Sequence, residues 1–183
     1  MKRIIVLVLV AGSLWSCNQQ APESVQPSEA AVTQEAAPQP TEFADESYTD
    51  LCKQALTSMT IKDIDGLVSN IADDAIWVFN SGDSISGKQA IADYWTNRLT
   101  NAIDKLEISN EIWLSLKVNE STQGVRTGNW VLGWADVTAS YIATGKSMSQ
   151  NIHMLYHFDD DGKFDRVIQY LDRASIIAAS TKE

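Results

Sequence analysis

Basic residues are scarce in this chain. Its 183 residues hold 14 Lys and Arg against 24 Asp and Glu, which gives a formal net charge of −10. Binding to nucleic acid requires clustered Lys and Arg that neutralise phosphates, and the sequence has no such cluster. We therefore predict no nucleic-acid partner. An acidic surface is also repelled by anionic lipid headgroups, so the surface itself is not expected to bind a membrane.

Cysteine and histidine are also rare, with two residues of each. Two cysteines cannot supply a disulfide framework, and Cys52 falls on the apolar stripe of a predicted helix, where a small buried residue is expected. His153 and His157 share one face of a predicted strand about 13 Å apart, and His157, next to an acidic turn, is expected to be exposed. That distance is too long for one metal ion, so we predict no metal site and no cofactor.

No apolar run reaches the length of about 20 residues that a transmembrane helix requires. The short run Ile4–Ala11 follows two basic residues and is typical of a signal peptide, which we place at residues 1–17. The segment Leu14–Cys17 resembles a bacterial lipobox, and the alternative is an ordinary secretory signal. The lipobox interpretation predicts lipidation at Cys17 and a lipoprotein of the bacterial cell envelope, on the periplasmic or outer-membrane side. Its lipid anchor would be its contact with the membrane.

Proline is absent from most of the chain, since all four prolines lie within residues 18–41. This segment also has no aromatic residue and is rich in Gln, Ser, Glu and Ala. Such a composition cannot bury enough apolar surface to fold. We therefore predict a disordered tether over residues 18–41 and one folded domain over residues 42–183.

Hydrophobic periodicity in the domain predicts helices first and strands afterwards. Helical spacing of apolar residues predicts helices at 45–59, 61–71 and 88–99, and alternation predicts strands at 75–79, 106–118, 125–141, 148–158 and 164–172. The Asp161-Gly162 pair predicts a tight turn between the last two strands. The order α-α-β-α-β-β-β-β indicates an α+β fold with a curved antiparallel sheet.

Two loops match ligand-binding motifs only in part. Gly82–Lys88 fits GxxxxGK between a strand and a helix, but Gln89 stands where Ser or Thr would bind Mg²⁺ and no parallel βαβ pattern follows. Asp159–Gly162 has Lys163 at the fifth position of an EF-hand loop, and its glycine comes too early. We interpret the first run as turn glycines with an N-cap serine and the second as a hairpin turn.

Polar residues of the late strands are the candidates for a pocket. Asp136 is predicted on the same side of its strand as Trp130 and Trp134, where an apolar surround would suit its carboxylate to act as a general base. A solvated Asp136 is the alternative. His153, in the middle of its strand, is either a pocket group or a hydrogen-bonded structural residue.

Several short motifs resemble one family. Ser86–Ile91 after the first strand, Thr144–Lys146, Gly162–Phe164 and the ending Tyr170-x-Asp172 are similar to motifs of the SnoaL-like branch of the nuclear transport factor 2-like superfamily. The resemblance covers about Asp45–Asp172. It implies a cone-shaped, barrel-like sheet wrapped around the first helix, with an apolar pocket open at one end.

The resemblance also implies a range of functions. Members of the family include polyketide cyclases, ketosteroid isomerase-like and dehydratase-like enzymes, and many pocketed proteins with no known reaction. Catalytic members use a His or Asp acid/base pair in the pocket. Members often form homodimers through the outer face of the sheet. Trp113, which lies among polar residues on its strand, is our candidate for such a dimer contact.

The sequence therefore predicts a membrane-tethered domain that binds a small hydrophobic or aromatic molecule. Its pocket walls are expected to include four tryptophans, Trp77, Trp95, Trp130 and Trp134. In the enzyme alternative, Asp136 or His153 abstracts a proton next to a carbonyl, and Tyr170 donates a hydrogen bond to the enolate oxygen. A structural or assembly module, with a pocket filled by its own tryptophans, is the second alternative.

Overall fold

The computed structural model describes residues 39–121 and 124–182, which belong to one unit, Ala37–Glu183. The predicted signal peptide, the lipobox cysteine Cys17 and residues 18–38 of the predicted tether lie outside the described residues. No helix within the described ranges is long and apolar enough to cross a membrane.

Helices and strands follow the predicted order, with three short additions. The helices are α1 (Ser47–Thr60), α2 (Ile64–Val68), α3 (Lys88–Asn97) and α4 (Arg173–Ser180), and a π-helical turn at Arg98–Ala102 continues α3. The strands are β1 (Thr41–Phe43), β2 (Ile71–Phe79), β3 (Ser84–Ser86), β4 (Ile103–Val118), β5 (Gly128–Tyr141), β6 (Ser147–Phe158) and β7 (Phe164–Tyr170). The α+β prediction is confirmed. The sequence did not predict β1, β3 or α4. A three-residue strand is too short to show alternation, and α4 follows the last predicted element.

The strands form one curved sheet in the order β1-β4-β5-β6-β7-β2-β3. Every neighbouring pair of these described strands is antiparallel except β2 and β7, which run parallel. Strands β1 and β3 are the two edges, so the sheet is open and not closed into a barrel. Thr41, assigned to the tether from its composition, is the first residue of β1 and pairs with Val118.

Helix α1 packs on the concave side of this sheet. The apolar residues of its buried face are Cys52, Ala55, Leu56 and Met59, which are spaced as the helical period requires. Cys52 is fully buried, and burial raises the pKa of its thiol far above the usual range. A thiol held protonated by an apolar surround is a packing group and a poor nucleophile.

The two turns that the sequence singles out have structural roles. Asp159 Oδ1 accepts hydrogen bonds from the N–H groups of Asp161 and Lys163, and Gly162 has a φ of +73°. This is the predicted hairpin turn between β6 and β7. The run Gly82–Lys88 forms a turn, β3 and the first residue of α3.

His157 is buried, so its predicted exposure is wrong. Its Nδ1 lies 2.5 Å from Asp165 Oδ1, and its Nε2 lies 2.9 Å from the Thr127 carbonyl oxygen. Arg126 donates a hydrogen bond to the second oxygen of Asp165 at 2.9 Å, and Trp130 packs edge-on against the imidazole. These contacts tie the β6–β7 hairpin to the segment that enters β5, and they cover the histidine.

A β-bulge in β4 reverses the faces of the strand halfway along. Ser109 pairs with Asp136 and Ile112 pairs with Trp134, so β4 has one more residue than β5 over this interval. Asn110, within the bulge, has a φ of +52°. Because strand side chains alternate, one extra residue exchanges the inner and outer positions of everything that follows.

The bulge changes which residues of β4 face inward. Ile108 lines the inner side, whereas Ile112 lies on the outer side and is 64% exposed, so the two residues do not share a face. Trp113 is turned inward over Gly133, and its ring lies 6.3 Å from that of Tyr156. The expectation that Trp113 lies on the outer face is therefore wrong, and the outward residue at this point of β4 is Ile112.

Gly133 is required by its contact with the Trp113 ring. A β-carbon on Gly133 would lie 2.4 Å from a ring carbon of Trp113. Gly133→Ala is therefore expected to lower the free energy of unfolding by about 1–3 kcal/mol, the usual cost of overpacking. Chemical denaturation measures the change.

Trp113→Leu provides the control because it removes the ring that causes the clash. In this background Gly133→Ala should cost much less than in the native chain. An equal cost in both backgrounds would show that some other feature requires the glycine.

Candidate functional site

A cavity of about 410 Å³ lies between the concave face of the sheet and helices α1, α3 and α4. Its volume falls in the range of about 300–1,000 Å³ that is typical of small-molecule sites. The apolar part of the wall comes from inward positions of α1 and the long strands, among them Leu56, Met59, Ile103, Leu106, Val137 and Ile152. These elements place an apolar surface around most of the cavity.

Two glutamines from neighbouring strands reach the cavity. Gln169 on β7 is buried, and its Oε1 accepts a hydrogen bond from Trp77 Nε1 at 3.3 Å. Gln150 on β6 accepts a hydrogen bond from the Asp172 N–H at 2.5 Å. Gln150 Nε2 also donates a hydrogen bond to Met148 Sδ at 3.3 Å. Both side chains are therefore held in place by the protein.

An ion pair stands at the mouth of the cavity. Asp83 Oδ2 accepts hydrogen bonds from Arg173 Nη1 at 2.8 Å and from Ser81 Oγ at 2.9 Å. The Arg173 hydrogen bond, followed by that of Ser81, lowers the pKa of the Asp83 carboxyl. Both charged side chains are largely exposed, so the pair adds little stability, but it links the turn before β3 to α4.

Arg98, Tyr141 and Trp95 form a polar part of the wall. Arg98 begins the π-helical turn, and its guanidinium lies 6.0 Å from the centre of the Tyr94 ring. The Tyr141 hydroxyl and Trp95 Nε1 are buried and have no hydrogen-bond partner among the described residues. Burial raises the pKa of Tyr141, and the nearby Arg98 guanidinium opposes that rise.

The tryptophans predicted as pocket walls divide between the two faces of the sheet. Trp95 lines the cavity, and Trp77 packs behind it with ring centres 5.2 Å apart. Val137 and Ala139 of β5 line the cavity. Side chains alternate along a strand, so the even-numbered Trp130 and Trp134 point to the opposite face of the sheet. The expectation that Trp130 and Trp134 form pocket walls is therefore wrong.

The structure brings Asp136, His153 and Tyr170 to the same outer face, outside the cavity. Trp134 pairs with His153 and His153 pairs with Tyr170, and the three rings stack at centre distances of 4.5 and 5.9 Å. Asp136 accepts hydrogen bonds from Asn151 and Asn110. The expectation that Asp136, His153 and Tyr170 line the pocket is wrong.

Strand parity explains this error. The large side chains of Trp130 and Trp134 suggest that their side of β5 faces the core. The side that meets α1 instead holds the smaller residues Val131, Gly133 and Ala135. On β6 and β7 the inward neighbours of His153 and Tyr170 are Ile152 and Gln169. Gln169, which does reach the cavity, thus lies one position away from the predicted Tyr170, and no sequence signal distinguishes the two alternatives.

Groups able to transfer a proton are few in the cavity. Among the described lining residues Asp83 is the one carboxylate, and none is a histidine. The described ranges also hold no cluster of three or more His, Cys, Asp or Glu that could bind a metal ion. The cavity is thus an apolar chamber with two arginines, two glutamines and no acid/base pair.

Comparison with known proteins shows a family match. The family model described as a SnoaL-like domain matches residues 53–167, from the first turns of α1 into β7. No match was found among curated protein sequences.

Solved structures share the fold at low sequence identity. A candidate polyketide cyclase of Xanthomonas campestris pv. campestris superposes with a TM-score of 0.59 and 17% identity over 74% of this chain and 98% of that chain. A candidate isomerase from Bacillus subtilis gives 0.58 and 18% over 73% and 92%. A hypothetical protein of Catenulispora acidiphila with a ketosteroid isomerase-like fold, in complex with trimethylamine, gives a TM-score of 0.55 and 14% identity over 72% of this chain and 92% of that chain. At these identities the likeness shows the fold alone.

Proposed function

Because the chain belongs to the SnoaL-like domain family, we propose that it binds a small hydrophobic or aromatic molecule in the cavity between the sheet and α1, α3 and α4. The observation that carries this proposal is the apolar wall around about 410 Å³ of empty space. Burial of an apolar ligand in such a wall is favourable at roughly 25 cal/mol per Å².

The chemistry of the wall favours binding over the enzyme alternative. A general base must lie within hydrogen-bond reach of the proton that it removes. Asp83, the carboxylate at the mouth, is already bonded to Arg173 and Ser81, and these bonds lower its pKa and its basicity. The open volume also argues against a module whose own tryptophans fill the pocket, since Trp95 leaves most of the space free.

The outer face of the sheet supports a homodimer. Ile112, Trp134 and Tyr170 are large, exposed apolar or aromatic side chains on this face, and they belong to three different strands. A patch of this kind on a globular domain marks an interaction surface. A second copy of the chain, related by a two-fold axis, would cover the patch with its own equal patch.

The N-terminal sequence supports attachment to the cell envelope. Residues 1–17 have the basic start, the apolar run and the terminal cysteine of a lipoprotein signal. The domain would then be carried by the lipidated Cys17 and the segment 18–38, with the ligand cavity in the compartment outside the inner membrane.

Filling the cavity should abolish binding of a neutral apolar probe. We expect N-phenylnaphthylamine to bind the native chain and to bind Val137→Trp at least about tenfold more weakly, because the indole occupies the ligand space. Fluorescence titration measures both dissociation constants.

Thr138→Trp is the matched control, since Thr138 is the next residue of β5 and faces outward. It should bind the probe within about twofold of the native chain. The proposed function would be contradicted if both variants lost affinity for the probe equally, or if the native chain did not bind the probe.

A charge on the outer face should separate the dimer. Ile112→Arg is expected to weaken self-association at least about tenfold, because it would bury an unpaired guanidinium between two apolar sheets. Sedimentation equilibrium gives the mass. Ile61→Arg is the control, because Ile61 is 68% exposed, close to the 64% of Ile112, and lies at the end of α1. A native chain that is monomeric at every concentration would rule the homodimer out.

Lipidation should depend on one of the two cysteines. In a bacterial host supplied with radiolabelled palmitate, the native chain and Cys52→Ser should carry label, and Cys17→Ser should not. An unlabelled, secreted native chain would show an ordinary secretory signal instead.

A further inference from the structure

Charge is unevenly distributed around the cavity. The chain as a whole carries a net charge of −10, yet the charged residues that line the cavity are Arg98, Arg173 and Asp83. Asp83 is bonded to Arg173, so these two neutralise each other at the mouth. Arg98 remains as the unmatched charge of the wall, and no carboxylate of the described part of the chain forms an ion pair with it.

The fold holds Arg98 inside the chamber and away from the outer surface. Tyr94, Trp95 and Arg98 follow one another at helical spacing and all line the cavity. The guanidinium of Arg98 is half-buried above the Tyr94 ring, a contact that orients the cation without neutralising it. A cation kept in an apolar wall without an anionic partner is costly and requires a physical reason.

Two more groups of the same wall lack acceptors. The Tyr141 hydroxyl, on a residue that is 2% exposed, and Trp95 Nε1, on a residue that is 5% exposed, have no hydrogen-bond partner among the described residues. Arg98 lies near enough to the Tyr141 hydroxyl to oppose the effect of burial on its pKa, although the two make no hydrogen bond of good geometry. Buried polar groups are nearly always paired in native structures. The part of the wall around Arg98 therefore presents donors without an acceptor.

We propose that the cavity takes an organic monoanion, a carboxylic acid or a comparable acid with an apolar body, whose acidic group pairs with Arg98. The inference rests on the proposed function and specifies the ligand class. The planar guanidinium offers two parallel N–H groups to a carboxylate or sulfonate. The apolar wall formed by residues such as Leu106, Val137 and Ile152 accommodates the rest of the molecule.

The energetics favour an anion over a neutral ligand of the same shape. The half-buried Arg98 has already lost part of its hydration on folding, so pairing it costs less desolvation than pairing an exposed arginine. Water-poor surroundings also strengthen the attraction between the two charges. The distant negative charges of the surface are screened within about 8–10 Å at ordinary salt, so they oppose the pairing only weakly.

Two fluorescent probes test the ligand class. Anilinonaphthalene sulfonate and N-phenylnaphthylamine have the same aromatic body, and only the first carries an anionic group. For the full native chain we expect the sulfonate probe to bind more tightly. Arg98→Met should weaken binding of the sulfonate about 10- to 100-fold and change binding of the neutral probe by less than about threefold.

Further variants keep the test clear. Arg98→Lys should retain part of the preference for the anion, because it keeps the charge and loses the planar pair of donors. Arg166→Met removes an arginine from the outward side of β7 and should leave both probes unaffected. Val137→Trp should weaken both probes, which assigns the binding to the cavity.

The outcomes separate this inference from the proposed function. If the native chain binds neither probe, the proposed function fails. If it binds the neutral probe as tightly as the sulfonate, or if Arg98→Met weakens both probes equally, the ligand is not selected by its anionic group and this inference alone fails. Retained binding of the neutral probe by Arg98→Met shows that the variant is folded.

Discussion

The alternation of side chains along β5 is the constraint on which the rest of the structure depends. This strand pairs with β4 on one side and with β6 on the other over nearly its whole length. Its register therefore decides which residues of three strands face α1 and which face outward. Small residues such as Gly133 and Ala135 occupy the inner side because α1 and the Trp113 ring approach closely there. The two tryptophans of β5, Trp130 and Trp134, are left for the outside.

Two surfaces of opposite character follow from this division. The inner surface, together with α1, α3 and α4, encloses an apolar cavity whose charge is concentrated at Arg98. The outer surface holds the stacked rings of Trp134, His153 and Tyr170 beside the exposed Ile112. Since the same strands supply both surfaces, the proposed ligand site inside and the proposed dimer face outside use alternate residues of one set of strands. Substitutions at neighbouring positions, such as Val137 and Thr138, should therefore separate the two functions.

Local sequence was sufficient for most of the elements. The helical spacing of Cys52, Ala55, Leu56 and Met59 predicts α1 because one face of the helix is buried. The Asp161-Gly162 pair predicts the last hairpin because a tight hairpin turn needs a positive φ, which glycine adopts without strain. Local sequence was not sufficient to predict which residues form the candidate site. Asp136, His153 and Tyr170 were reasonable candidates by residue type, yet the polar residues that reach the cavity include Gln150, Gln169, Tyr141 and Arg98 and none of these three.

The sequence alone therefore determined the order of the elements, the α+β class and the family, because these depend on patterns repeated along the chain. The tertiary structure decided the face of every strand and the content of the cavity. The bulge at Asn110 exchanges the inner and outer faces of the second half of β4. The alternation of apolar and polar residues along the sequence does not indicate where such a bulge lies. The parallel contact of β2 with β7 and the position of Arg98 beside Tyr141 join residues far apart in the chain. These contacts form only in the folded domain, which is why the charge of the cavity could not be read from the sequence.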